Sequence, residues 1–254
     1  MKVRRAWLIA AIGALGLVAL ARAKASDPNV LWRIVHTRCV AHFKQSGSPA
    51  PCARVDLRHG YAVLKDLRGA EQFLVIPTAR VSGIEDPKIL APGAPNYWAE
   101  AWSARRFIDA RIGRSPPRDD FALAVNSRFA RSQNQLHIHV DCVRESVRRI
   151  LRANQGGIGP RWSSLPVDLA GHRWRAVRIE RKRLGALNPF KLLADEVPGA
   201  RAHMGEQTLV VVGMRFRGGK PGFVVVNDSA DLARMDRGSG EQLLDHQCTL
   251  LQRR

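Results

Sequence analysis

The sequence predicts an α+β fold, in which helices flank one antiparallel sheet that is built from two similar halves. Short runs of β-branched and aromatic residues around turn residues predict a hairpin at 61–77. An apolar stripe between residues 97 and 108 recurs every three or four positions and predicts a helix packed on the sheet. A second hairpin at 208–227 echoes the first, so we expect one half at about 30–155 and a degenerate copy at about 160–254.

The remaining elements of the first half follow from local patterns. A short helix at 30–40 leads towards the hairpin. Trp98 and Trp102 lie on the apolar stripe of the long helix, which predicts core positions rather than ligand contacts. Strands at 121–125 and 135–142 then complete this half of the sheet.

The second half begins after a glycine-rich break at 156–160. Asn188 is a typical N-cap and Pro189 a typical first helical residue, so a helix is expected from there to Glu196. An amphipathic pattern at 240–251 predicts a final helix. This half has no H-x-H motif, and we interpret its isolated histidines as structural or exposed: His172, His203 and His246.

The segment 135–142 carries the clearest chemical signal in the chain. Its residues alternate between polar and apolar, which predicts a half-buried strand with His137 and His139 on one face. The opposite face would enter the core and carries Leu136, Ile138, Val140 and Cys142. A strand is a rigid platform, so the two imidazoles are suited to a site rather than to a mobile loop.

Hydrogen-bond donors precede the two histidines. Asn126, Ser132 and Gln133 offer amide and hydroxyl groups of the kind that bind phosphate oxygens, and Gln135 shares the face of the histidines. The alternative is a periplasmic metal-dependent phosphoesterase whose metal site is formed by His137, His139 and Asp141. Glu145 comes too late to complete such a set, which favours a site without metal or cofactor.

The frame from Gln135 to His139 resembles the His-φ-His-φ-His strand of the histidine-triad (HIT) superfamily, with Gln135 at the position of the first histidine. A longer set of motifs resembles the bacterial CDP-diacylglycerol pyrophosphatases, and the likeness spans about residues 34–248. These motifs lie at 60–67, 95–98, 126–128, 189–198 and 203–205. The resemblance implies a HIT-like antiparallel sheet, duplicated into one continuous sheet.

The resemblance also implies an activity. CDP-diacylglycerol, or a related liponucleotide, would be hydrolysed to CMP and phosphatidate through a nucleotidyl-histidine intermediate, without a cofactor. His137 would be the nucleophile and His139 would support the phosphate, while Gln135 could orient groups but could not titrate. The second half would hold the lipid part of the substrate. A non-catalytic module that binds nucleotides or anionic lipid is a further interpretation, and it would not need His137.

Residues 1–25 have the composition of an N-terminal signal-anchor. Three basic residues in positions 2–5 precede an uncharged stretch at 6–21, and Ala23 and Ala25 fit a small-x-small cleavage site. The stretch lies between the lengths typical of signal peptides and membrane spans. The resemblance implies a retained single-pass anchor in the bacterial inner membrane with the domain 26–254 in the periplasm. A cleaved signal peptide is the alternative.

Four cysteines in an exported chain favour two disulfides. Cys39 and Cys52 bracket a short loop, so local closure makes their pairing the first choice and leaves Cys142 with Cys248. Four buried free thiols are the alternative.

The formal charge of +19 requires an anionic partner. Export removes nucleic acid from reach, so we expect no nucleic acid and instead an anionic membrane surface. Basic stretches at 144–152 and 173–183 are candidates for that contact, or are solvated faces.

Overall fold

Nine antiparallel strands form a single sheet in the computed structural model, which describes residues 27–252. The strands are β1 (Arg54–Asp56), β2 (Tyr61–Lys65), β3 (Phe73–Pro77), β4 (Phe121–Val125), β5 (Ile138–Cys142), β6 (Ser163–Ser164), β7 (Arg175–Ile179), β8 (Gln207–Arg215) and β9 (Pro221–Ser229). Their order in the sheet is β1-β2-β3-β5-β4-β8-β9-β7-β6. Pairing of β4 with β8 joins the two halves, which confirms the prediction of one continuous antiparallel sheet.

Helices cover both faces of this sheet. They are α1 (Val30–Arg33), α2 (Ala41–Ser46), α3 (Tyr97–Ile112), α4 (Glu145–Ala153), α5 (Pro189–Glu196) and α6 (Thr249–Gln252). A π-helical stretch, Ile34–Val40, connects α1 directly to α2, so the first helical segment is longer than predicted. The helical segment continues to Ser46 because no helix-breaking residue lies before Gly47. Gly47 ends it with a φ of 76°.

The predictions based on strong local signals are confirmed. Trp98 and Trp102 are buried on α3. Asn188 caps α5, and its side chain accepts a hydrogen bond from the Phe190 N–H at 3.0 Å. The β8–β9 hairpin is two-stranded as expected and longer than predicted at both ends.

The predicted start of the histidine strand is wrong by three residues. The ladder with β3 begins where Val75 pairs with Ile138. The next residue of β3 whose N–H would point towards β5 is Pro77. Proline has no N–H to donate, so the ladder stops before it. Just before β5, the Leu136 N–H instead donates a hydrogen bond to the carbonyl of Val81, in the chain after β3, at 2.7 Å.

The predicted helix at 240–251 is also wrong. Only a 3₁₀ turn, Gly240–Leu243, and α6 are helical in this region. The intervening backbone is bound to the end of β5, where the Asp245 N–H donates to the Cys142 carbonyl at 2.9 Å. These non-local bonds, with a φ of 49° at Cys248, outweigh the helical pattern. The β8–β9 hairpin is therefore not followed by a long helix, although the order β2-β3-α3-β4-β5 of the first half recurs as β6-β7-α5-β8-β9 in the second.

Two disulfides join the predicted pairs. Cys39 and Cys52 are bridged with a Cα–Cα distance of 5.6 Å, and Cys142 and Cys248 with one of 5.3 Å. The first bridge closes the loop after α2, and the second ties the C-terminal segment to β5. The predicted signal-anchor at 1–25 lies outside the described residues. Within 27–252, no helix combines the length and the apolar character that crossing a bilayer requires.

Three apolar clusters divide the space around the sheet. The largest packs α3 and α5 onto one face. On the other face, one cluster packs α4 against the centre of the sheet, and another packs the first helical segment against β2 and β3. On one side, His139 pairs with Leu74, which belongs to the cluster beneath the first helical segment. On the other side, it pairs with Ala124, which belongs to the cluster beneath α4. The histidine face of β5 therefore lies in the gap between these two clusters.

Candidate active site

A cavity of about 330 Å³ occupies the gap beside β5. Uncharged polar, histidine and glutamate side chains form one part of its lining: Asn126, Ser132, Gln133, His137, His139 and Glu241. Apolar side chains form another part, and Lys65, Asp66, Arg68 and Ala130 complete it; the apolar residues are Val30, Leu31, Ile34, Leu64, Leu67 and Leu74. A larger cavity of about 590 Å³ shares none of these residues and includes Arg128 and His203. We assign the candidate site to the smaller cavity because it holds both histidines of the H-x-H motif.

His137 is fixed through its Nδ1 atom. This atom lies 2.7 Å from the Gln135 carbonyl oxygen, which can only accept, so Nδ1 carries the proton. Nε2 is then the nitrogen with a free lone pair. Burial lowers the pKa of His137 from its ordinary value to about 4, with a further contribution from nearby His139. The ring is therefore neutral at physiological pH, which is the state that a nucleophilic imidazole requires.

His139 is buried without a hydrogen bond. It is 4% exposed, and neither ring nitrogen has a hydrogen-bond partner within the described part of the chain. Its ring lies edge-on to His137 with a centroid distance of 4.9 Å. Burial lowers the pKa of His139, although the nearby carboxylate of Glu241 opposes this shift. A buried polar ring that lines a cavity without a partner is suited to contact a bound ligand.

Glu241 is a site residue that the sequence did not reveal. It lies on the 3₁₀ turn, where its Oε1 atom is 3.4 Å from His139 Nε2 and accepts a hydrogen bond from Asn126 Nδ2 at 2.6 Å. Its Oε2 atom is 3.5 Å from His246 Nε2. The carboxylate thus connects two histidines from different parts of the chain.

His246 stands next to the site rather than apart from it. Its Nδ1 atom lies 2.7 Å from Asp141 Oδ2, and this hydrogen bond raises the pKa of His246. The interpretation of His246 as merely structural or exposed therefore misses its position. The Cys142–Cys248 pairing contained a signal for it, because that bridge brings residue 246 close to the histidine face of β5.

The four predicted phosphate ligands have different environments. Asn126 lines the cavity, but its Oδ1 atom accepts from the Gly240 N–H at 2.9 Å while its Nδ2 atom binds Glu241. Gln133 also lines the cavity, and its amide binds the Leu31 N–H at 3.0 Å. Both amides therefore position neighbouring backbone. The Ser132 hydroxyl lines the cavity and makes no hydrogen bond to any described residue.

Gln135 does not line this cavity, so its assignment as a phosphate ligand is corrected. Its side chain is fully buried, and Nε2 donates to the carbonyls of Pro77 at 3.0 Å and Ala79 at 2.9 Å. Oε1 faces the Val81 N–H at 3.4 Å. The amide therefore clamps the chain after β3 and fixes the backbone carbonyl that binds His137.

Asp141 is engaged away from the two histidines of the H-x-H motif. Its Oδ1 atom accepts from the Cys142 N–H at 2.8 Å, and its Oδ2 atom pairs with His246. The third ligand of the metal-site alternative thus already has partners on both oxygens. This arrangement disfavours a metal held by His137, His139 and Asp141.

The site combines a buried, neutral imidazole with a cavity that is lined by both polar and apolar residues, as expected of a hydrolase for an amphipathic substrate. The sequence profile of the CDP-diacylglycerol pyrophosphatase family matches residues 26–252. A Yersinia pestis protein named CDP-diacylglycerol pyrophosphatase is 39% identical over 244 residues, which cover 96% of this chain and 92% of that protein. The chain belongs to the CDP-diacylglycerol pyrophosphatase family, as its motifs predicted.

Proposed function

We propose that the protein hydrolyses the pyrophosphate bond of CDP-diacylglycerol and releases CMP and phosphatidate. The family match supports this reaction. The observation that carries the residue assignment is the 2.7 Å contact between His137 Nδ1 and the Gln135 carbonyl, which leaves Nε2 as a neutral nucleophile. The cavity also fits an amphipathic substrate, because the polar residues of its lining would take the diphosphate and the apolar residues the glycerol backbone.

The reaction proceeds in two displacements in this proposal. Nε2 of His137 attacks the phosphorus of the cytidylyl group, and the bond from that phosphorus to the bridging oxygen breaks. Phosphatidate leaves with the bonding electrons, and a nucleotidyl-histidine remains. Water then attacks the same phosphorus, CMP leaves, and the electrons of the P–N bond return to His137. The attacking water loses a proton to the solvent, and His137 returns to its neutral state with its proton on Nδ1.

His139 and Glu241 support the charge that develops on the phosphoryl group. An entering diphosphate brings negative charge next to His139, and Glu241 at 3.4 Å adds to it. Together they favour a protonated His139, which can donate a hydrogen bond to the phosphate or to the leaving oxygen. The Asp141–His246 pair holds the other side of Glu241 in place. The Ser132 hydroxyl is a further donor on the wall of the cavity.

The fold and the motif support a histidine-triad-like origin for this mechanism. Three observations favour it: the H-x-H residues on one face of a sheet strand, the neutral middle histidine and the antiparallel sheet. Gln135 occupies the position of the first histidine, and we assign it a positioning role through the backbone rather than a proton-transfer role.

We further propose that residues 1–25 anchor the protein in the bacterial inner membrane and that the body lies in the periplasm. Two disulfides support an oxidising compartment. The net charge of +19 supports an anionic membrane surface as the partner. A C-terminal alkaline phosphatase fusion should be active if this orientation is correct, and N-terminal sequencing of the mature protein separates a retained anchor from a cleaved signal peptide.

Trapping of the covalent intermediate tests the catalytic proposal. Purified protein is incubated with CDP-diacylglycerol labelled in the cytidylyl phosphate, in the presence of a chelator, and is then denatured. Label should remain on the wild-type protein at His137 and be absent from His137→Ala. His42→Ala is a matched control, because His42 Nδ1 also contacts a backbone carbonyl, that of Ala50 at 2.8 Å, outside the cavity. Unchanged turnover in His137→Ala would favour another mechanism, and turnover by neither protein would favour the non-catalytic binding module.

A further inference from the structure

The loop between β2 and β3 contributes an exposed apolar residue to the lining of the candidate site. Leu67 lies in this loop, lines the cavity and is 100% exposed. A leucine that is both fully exposed and continuous with an apolar cavity wall is not explained by packing within the chain. Single exposed apolar residues are common, so the surroundings of Leu67 decide its meaning.

The loop holds Leu67 outward through several hydrogen bonds. Lys65 Nζ donates to the carbonyls of Asp66 at 2.9 Å and Gly69 at 3.0 Å. The Arg68 N–H donates to Asp66 Oδ1 at 3.0 Å. The Ala70 N–H donates to the His246 carbonyl at 2.7 Å and joins the loop to the C-terminal segment. Leu67 is therefore presented to the outside by an ordered turn.

The first helical segment contributes further apolar residues to the lining of the same cavity. Val30 is 37% exposed, and Leu31 and Ile34 also line the cavity. Asp27 is the first described residue, so the chain upstream of it joins the body beside these residues. The uncharged stretch at 6–21 lies a few residues before that junction. A membrane bound by that stretch would therefore be adjacent to these apolar lining residues of the cavity.

The charge around these apolar residues fits an anionic surface. Arg68 is exposed next to Leu67, and Lys65 and Asp66 also line the cavity. By contrast, three arginines of the two basic stretches proposed from the sequence have acidic partners. Arg148 pairs with Asp120, Arg152 Nη1 lies 3.3 Å from Asp119, and Arg173 Nε lies 3.0 Å from Asp168. An exposed apolar residue next to an exposed basic one is typical of a surface that enters the lipid headgroup region.

We infer that this lip, defined as Val30, Leu31, Ile34, Leu64 and Leu67, docks on an anionic phospholipid bilayer. CDP-diacylglycerol would then enter the cavity headgroup first, with its diphosphate at His137 and its acyl chains still in the bilayer. The statement about substrate entry rests on the proposed function, whereas docking of the lip on lipid does not.

An environment-sensitive label tests the docking without using catalysis. All four native cysteines are in disulfides, so an introduced cysteine provides a unique free thiol. Full-length Leu67→Cys is labelled with a nitrobenzoxadiazole dye and mixed with vesicles of phosphatidylcholine and phosphatidylglycerol. Emission should rise and shift to the blue as the dye enters lipid. Leu232→Cys is the matched control, because Leu232 is 54% exposed and does not line the cavity. A dye at position 67 that remains in water, or equal responses at both positions, overturns the inference.

A pair of substrates tests the consequence for turnover. Leu67→Asp should lower hydrolysis of CDP-diacylglycerol in these vesicles by about tenfold, because a carboxylate does not enter an anionic interface. Soluble CDP-glycerol is the reference substrate, and the ratio of the vesicle rate to the soluble rate should fall about tenfold in Leu67→Asp and stay at the wild-type value in Leu232→Asp. Equal loss on both substrates overturns the inference, since Leu67 would then act on the chemistry or on folding. If the dye enters lipid but the wild-type protein hydrolyses neither substrate, the proposed function fails and the docking surface stands.

Discussion

His137 and His246 lie on the same side of the sheet, but their surroundings shift their pKa values in opposite directions. His137 contacts a backbone carbonyl, and burial lowers its pKa to about 4. His246 contacts the carboxylate of Asp141, and this hydrogen bond raises its pKa. Burial beside a neutral acceptor therefore favours a neutral ring, which suits the proposed nucleophile, while a carboxylate partner favours the protonated ring. Glu241 and His139 lie between these two ends of the site.

Loss of the imidazole of His137 should have the largest effect on the rate of hydrolysis. His137→Ala removes the proposed nucleophile and should lower the rate of CMP release by about ten-thousandfold. His42→Ala should retain the wild-type rate. A residual activity within tenfold of the wild type would mean that His137 is not the nucleophile.

The carboxylate between the two ends should matter next. Glu241→Gln keeps the shape of the side chain but removes the charge that favours a protonated His139, so we expect kcat to fall by about a hundredfold. KM should change little if Glu241 acts on the transition state rather than on substrate binding. Glu180→Gln is the control, since Glu180 pairs with Arg178 on the surface. A change confined to KM would contradict this role.

The pH profile should report the depressed pKa of the nucleophile. The neutral form of His137 is the reactive one, so kcat/KM should fall as pH decreases through about 4, rather than through the ordinary value near 6.5. The loss should be about tenfold per pH unit below that point. Circular dichroism at each pH separates this titration from unfolding. An acid limb centred near 6.5 would show that His137 is not held neutral.

The contact between His246 and Asp141 should make a small, pH-dependent contribution to the free energy of unfolding. The folded pKa of His246 is raised, so its stabilising effect is complete below the unfolded value and is lost as pH rises through the folded value. The side chain is partly exposed, so we expect the effect to be no more than about 1 kcal/mol. Urea unfolding of wild type and His246→Gln should differ by more at pH 5.5 than at pH 9. An equal difference at both values would remove the ionic interpretation.

Local patterns predicted much of the fold and part of the site. Helix α5 and the β8–β9 hairpin carry their cap and turn residues within the segment itself, so their signals survive without tertiary information. The disulfide pairs followed from chain distance and compartment. His137 and His139 were found because strand alternation places them on one face.

The rest depended on contacts between distant segments. The pattern at 240–251 fits a helix, yet backbone bonds to β5 prevent one, and the same bonds bring Glu241 to His139. Gln135 shares the period of the histidines, but the proline that ends the β3 ladder turns its amide to the chain after β3. No local pattern contains either of these long-range constraints.

The Cys142–Cys248 bridge gives the site a dependence on oxidation. Glu241 and His246 belong to a segment that reaches β5 through sulfurs 106 residues apart in the chain. A reduced chain lacks this covalent link, so its nucleophile can be in place while the acidic side of the site is not. Activity should therefore mature after synthesis, once the thiols have been joined. Formation of this bond, rather than synthesis of the chain, then sets the point at which the acidic side of the site is complete.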